Sequence, residues 1–193
     1  MRLLVAFLLI PLLLPAQKRF TFSDEFNGTE LDLFKWVPHD PWASARTPDP
    51  PAVTGGELHL KAGQTVTTFG LFSQVYGRFE IRFRVPAANG NKALFRLLPV
   101  PLGPLPAIDV FSSAGPELFF GNHWGTEQTE RTFGDSFPAP APALHMVAIV
   151  WDRAKITWSI DGKDKLHSTD GVPQQPMFLL LEGPLDVDYI HVN

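Results

Sequence analysis

The chain is predicted to be all-β, a two-sheet jelly-roll sandwich in a single domain. Three observations carry this: apolar residues recur at a spacing of two rather than 3.6, the segments that show it are short and bounded by Gly or Pro, and no stretch holds a helical period. The 19 prolines gather in loops such as "VPHDPW", "TPDPPAV", "LPVPLGPLP" and "FPAPAPA", where a missing backbone N–H costs nothing.

The first residues, "MRLLVAFLLIPLLLPAQ", carry one positive charge at Arg2, an apolar run from Leu3 to Leu14 and a small residue at Ala16. That is the layout of a cleaved secretory signal over 1–16, too short to span a bilayer, which needs about 20 apolar residues. The domain then occupies 17–193, and the expected location is secreted or periplasmic, with no membrane anchor. The absence of cysteine excludes disulfides, thiolate metal sites and a lipoprotein's lipid attachment. With 16 Lys and Arg against 20 Asp and Glu the net charge is −4, and no basic run appears. Nucleic acid is therefore not expected as a partner, and a neutral polymer is compatible.

Each strand has its own signature. In "ELHLKA", Leu58 and Leu60 share a face. In "YGRFEIRFRV", Phe79, Ile81, Phe83 and Val85 alternate with Arg78, Glu80, Arg82 and Arg84, giving one buried and one polar face. The runs "ALFRLL", "AIDVF", "ELFFGNHW" and "LHMVAIVW" follow. "AKITWSIDG" places Ile156, Trp158 and Ile160 on one side and ends on Asp161-Gly162, a hairpin turn signal. "MFLLLEG" and "DVDYIHV" close the chain. Trp36, Trp151 and Trp158 are assigned to the core.

One strand is unusual. "PLPAIDVFSSAG", residues 104–115, sets Asp109 among branched apolar residues, with only Ala107 and a short Ser beside it on its face. An acid in a strand needs a polar site built around it.

The ordered landmarks "FSDEFNGTELDLFKW", "GGELHLKA", "YGRFEIRFRVP", "LFRLLP", "AIDVF", "HWG", "LHMVAIVWDRAKITWSIDG" and "VDYIHV" resemble the β-glucanases and laminarinases of glycoside hydrolase family 16 along the whole mature chain. The resemblance implies a concanavalin A-like, lectin-glucanase sandwich with a cleft for a β-glucan or galactan polysaccharide. It also implies a catalytic strand reading Glu-Ile-Asp-x-x-Glu: nucleophile, tuning Asp, and general acid/base. A retaining glycosidase needs two carboxyl groups about 5 to 5.5 Å apart. Residue by residue, the nucleophile position is Ala107, the middle Asp is Asp109, and the acid/base position is Ser112 if a bulge re-aims the strand, or Phe111 if it does not. Neither register supplies a Glu.

The sequence expectation is thus a polysaccharide-binding protein without hydrolytic activity, monomeric and free of cofactors. Two rivals stay open: an endo-glycosidase using a displaced carboxylate, and a structural or protein-interaction sandwich whose cleft has become apolar around Ala107, Phe111 and Phe95. The residues expected to meet a sugar are His123, Trp124, Arg78, Arg96 and Trp42, and Trp124 and His123 can equally be core. No metal is expected, since Asp24 and Glu25 of "SDEF" lack further oxygen ligands nearby.

Overall fold

The structure, a computed structural model, describes residues 19–43, 49–84, 92–113, 117–138 and 143–193. The signal segment 1–16, Val85 and residues 139–142 of "FPAPAPA" lie outside the described residues.

The described residues form strands and no helix. In chain order these are β1 (Phe22–Asp24), β2 (Ala52–Thr54), β3 (Glu57–Leu60), β4 (Thr65–Thr67), β5 (Gly77–Arg84), β6 (Ala93–Pro99) and β7 (Ala107–Ser113). Then come β8 (Glu117–Trp124), β9 (Arg131–Pro138), β10 (His145–Trp151), β11 (Ile156–Ile160), β12 (Lys163–Ser168), β13 (Met177–Glu182) and β14 (Leu185–Val192). An eight-stranded sheet runs β12-β11-β10-β5-β14-β3-β2, with β1 also on β14. A six-stranded sheet runs β4-β13-β6-β7-β8-β9. Every strand pair is antiparallel, and the two sheets stack into the predicted sandwich.

Period-two patterning decides what lies between the sheets. Phe79, Ile81 and Phe83 of β5 and Val147, Ile149 and Trp151 of β10 meet Ala93, Phe95 and Leu97 of β6 and Met177, Leu179 and Leu181 of β13 in one buried cluster. Phe83 stacks on Phe111 across the gap, ring centroids 4.2 Å apart. Each large side chain so buried contributes about 1.5 to 3 kcal/mol. Trp36, Trp151 and Trp158 are all fully buried, as their patterns predict. The Asp161-Gly162 turn joins β11 to β12 with both residues at positive φ, 49° and 76°, the conformation a tight hairpin of this type requires.

"SDEF" is an anchor. Asp24, buried, accepts hydrogen bonds from Trp36 Nε1 at 2.8 Å and from the Phe26 amide at 3.0 Å, while Glu25 pairs with His191. β9 escapes the sequence reading because "RTFGDSFP" is exposed on both faces except at Phe137, so it has no alternation to show. It is a sheet edge that pairs with β8 along its full length. Among the described residues no helix is long and apolar enough to cross a membrane.

Candidate functional site on the six-stranded sheet

The outer face of the six-stranded sheet is the face turned away from the core, and two kinds of side chain share it. Leu94, Leu98, Ala107, Phe178 and Leu180 form a second buried cluster, covered in part by Phe69 and Leu102. Beside it lies a polar row built on β6, β7 and β8.

β7 carries the bulge that the alternative registers left open. Asp109 pairs with Gly121 and Ser112 with Phe119, three residues advanced on β7 for two on β8; against β6, Arg96 pairs with Asp109 and Phe95 with Phe111. Val110 and Phe111 therefore both turn into the core, and Ser112, only partly buried, is the residue left outside it. Phe95 and Phe111 belong to the inner core, so the apolar lining pictured around Ala107, Phe111 and Phe95 does not form; Ala107 alone lies on the outer face. Where the bulge breaks the ladder, the Asp109 carbonyl accepts the indole Nε1 of Trp158 from the opposite sheet at 2.8 Å.

The Asp109 side chain is 2% exposed and fully engaged. Arg96 donates from Nε to Oδ1 at 2.5 Å and from Nη2 to Oδ2 at 3.1 Å, and His123 Nε2 lies 3.1 Å from Oδ2. Burial pushes this carboxyl up, but the hydrogen bonds and charges of His123 and Arg96 outweigh it and hold the acid below the usual aspartate range. The other ring nitrogen of His123 faces Thr132 Oγ1 at 3.0 Å and Glu130 Oε1 at 3.2 Å. With Nε2–H donated to Asp109, Nδ1 of a neutral imidazole accepts the Thr132 hydroxyl; a charged imidazole donates to Glu130 instead. Gly121 leaves room here, since a Cβ at that position would overlap the Phe119 ring.

A pocket of about 210 Å³ opens on this row, lined by Arg96, Pro104, Leu105, Ala107, His123, Glu127 and Glu130. A second, of about 130 Å³, shares Arg96 and is bounded by Asp40, Trp42, Lys92, Leu94 and Glu182 among others. The structure therefore brings Ala107, Asp109, His123 and Arg96 together and sets Trp42, 51% exposed, at the adjoining pocket.

Two expected residues are elsewhere. Arg78 lies on β5 in the eight-stranded sheet, on the face opposite Phe79, paired with Glu80; a residue on the other sheet's outer face cannot join Asp109. Trp124 lines neither pocket, because its place in β8 puts it on the side opposite His123, packed over Gly171 where any Cβ would overlap its ring. The sequence reading missed Glu127, Glu130 and Thr132. The last sits on β9 and the first two in the turn before it, and only their polarity could have flagged them.

No protein-family model matches the chain. Glucan endo-1,3-beta-glucosidase A1 of Niallia circulans is 27% identical over 193 aligned residues, covering 74% of this chain and 28% of the relative. Endo-1,3-1,4-beta-glycanase ExsH of Rhizobium meliloti is 25% identical over 211 residues, covering 83% and 45%. The chain thus spans less than half the length of these two relatives. In fold it is similar to the catalytic domain of an endo-1,3-beta-glucanase (laminarinase) from Thermotoga petrophila, with a TM-score of 0.76 at 19% identity over 90% of this chain and 96% of that one. It is equally similar to SCLam, a non-specific endo-beta-1,3(4)-glucanase from family GH16: TM-score 0.76, 17% identity, 94% and 93% covered. The resemblance to glycoside hydrolase family 16 read from the sequence holds at the level of the fold.

Proposed function

We propose that this chain is a secreted or periplasmic sandwich that binds a β-glucan or galactan polysaccharide without hydrolysing it. One observation carries the reading: the one carboxylate on the altered strand, Asp109, is buried with both oxygens engaged, while Ala107 and Ser112 on either side of it bear no acid. An acid held ionised by Arg96 and His123 cannot protonate a leaving oxygen, and its oxygens are not available to attack an anomeric carbon. The chemistry of the glycosidase is gone, and a recess with polar edges remains.

What remains suits a sugar. Glu127 and Glu130 offer acceptors, and the Arg96 guanidinium donors, for hydroxyl groups around an apolar wall of Leu105 and Ala107, and Trp42 presents a flat ring at the neighbouring recess. The chain being monomeric and cofactor-free belongs to the same proposal.

A second reading has an observation in its favour. Glu127 and Glu130 are carboxylates lining the pocket, which is what a displaced catalytic acid would require. Glu130, however, bonds the opposite side of the His123 imidazole from Asp109, so a ring and two hydrogen bonds separate the carboxyl groups, more than the about 5 to 5.5 Å of a retaining pair.

The test is reducing-end release from laminarin, mixed-linkage glucan and agarose, with binding followed by affinity gel electrophoresis on the same polymers. The expected result is retardation by one polymer and no release, with release appearing in Ala107→Glu/Ser112→Glu. Release by the unaltered protein that disappears in Glu130→Gln overturns the inactive reading. Neither retardation nor release from a folded protein removes the carbohydrate reading and leaves the protein-interaction sandwich.

A further inference from the structure

We propose that Glu57, His59 and Asp186 form a binding site for a divalent transition-metal ion of the zinc class, on the outer face of the eight-stranded sheet. His59 of β3 and Asp186 of β14 are register partners, and Glu57 lies two residues before His59 on the same face. One ligand atom from each lies within 4.8 Å of the others, and all three residues are partly exposed, so an ion can reach them.

The ring of His59 is already oriented for ligation. Its Nε2 sits 3.2 Å from the carbonyl oxygen of Thr54, which has no proton to give, so Nε2 carries the hydrogen. In the neutral ring, Nδ1 then presents a lone pair to Asp186 Oδ1 only 2.8 Å away. A proton on Nδ1 accounts for that spacing, and the hydrogen bond to Asp186 holds the imidazole above its usual range. An ion entering here would displace that proton and take Nδ1 and an Asp186 oxygen as ligands, with Glu57, whose carboxylate lies within the same 4.8 Å, as the third. Arg84 Nη2 forms an ion pair with Glu57 Oε1 at 3.6 Å, too long for a hydrogen bond, and an ion bound here would compete with it.

The donor set selects the ion. One imidazole nitrogen with two carboxylate oxygens fits zinc-class ions at about 2.0 to 2.2 Å and leaves a fourth position open, whereas calcium takes an all-oxygen shell. The Nε2–H bond to the Thr54 carbonyl is the outer contact that fixes a ligating histidine's ring and tautomer. Thr54 belongs to β2, so an ion held here would tie β2, β3 and β14 at the edge of the sheet. Nothing in "Glu-x-His" alone points to this, because Asp186 joins from 127 residues further along the chain.

The experiment is isothermal titration of the EDTA-treated, dialysed full-length protein with zinc chloride at neutral pH, beside His59→Gln and Glu57→Gln, with calcium chloride as the contrast. Glu57→Gln keeps the His59–Asp186 pair, so it reports on the ligand rather than on the fold. The expected result is a zinc site weakened by about tenfold or more in both variants and indifferent to calcium. Cobalt(II) bound in its place would show the visible absorption of a low-coordinate nitrogen and oxygen site. An unaltered protein that takes up no zinc overturns the proposal, as does zinc binding that both variants retain unchanged. Sugar binding by the other sheet stands or falls independently of either result.

Discussion

The outer faces of the two sheets use the same side chains to different ends. On the eight-stranded sheet, Arg82 Nη1 lies 2.6 Å from Asp188 Oδ2 with side chains 46% and 28% exposed. On the six-stranded sheet, Arg96 meets Asp109 at nearly the same distance, 2.5 Å, with the carboxylate side chain 2% exposed. Water screens the first pair and repays the separation of its charges; the second has surrendered its hydration and depends on its partners. Distance alone therefore does not rank these interactions. Burial does, and the buried one is the one placed at the pocket.

That contrast sets an order of effects. Asp109→Ala removes the shared acceptor from Arg96 and His123 and leaves a cation without its counter-charge; it should cost about 3 to 5 kcal/mol of stability by urea denaturation. A loss below about 1 kcal/mol would mean that the row is hydrated like the other face.

Asp109→Asn keeps the shape and removes the charge, at a neutral-pH cost of about 1.5 to 3 kcal/mol. Because the folded carboxyl is held below its ordinary value of 3.8, its contribution is present above that pH and is lost as the pH falls through the folded value. The gap between wild type and Asp109→Asn should accordingly narrow in acid below pH 3.8, and a gap unchanged by acid would refute the ionised assignment.

Trp158→Phe leaves the Asp109 carbonyl at the bulge without its indole donor and should cost about 1 to 3 kcal/mol, read from the same denaturation curves. Smallest of all, Arg82→Ala on the exposed face should change stability by no more than about 0.5 kcal/mol and lose even that in high salt. An effect as large as that of Asp109→Ala would collapse the distinction between the faces.

The same contrast shows where sequence reading succeeds. Phe79, Ile81 and Phe83 announce their burial through their own neighbours, and Asp161-Gly162 announces its turn in two residues. Arg78 and Arg96 look alike in sequence, each an arginine beside a phenylalanine in a predicted strand. One ends beside Glu80 and the other beside Asp109, because their strands belong to different sheets. Glu130 and Thr132 meet His123 only because the exposed edge strand β9 lies against β8 in a register that no local pattern dictates.

By itself, then, the sequence determined an all-β sandwich, its core tryptophans and the non-acidic residues Ala107 and Ser112 around Asp109, since alternation and residue identity are local facts. The tertiary structure decided that the β7 bulge turns Phe111 inward and leaves Ser112 out, that Asp109 is enclosed by Arg96 and His123, and that Glu57, His59 and Asp186 converge. These depend on which strands become neighbours and in what register. Burial of the whole core selects that arrangement, and no single segment encodes it.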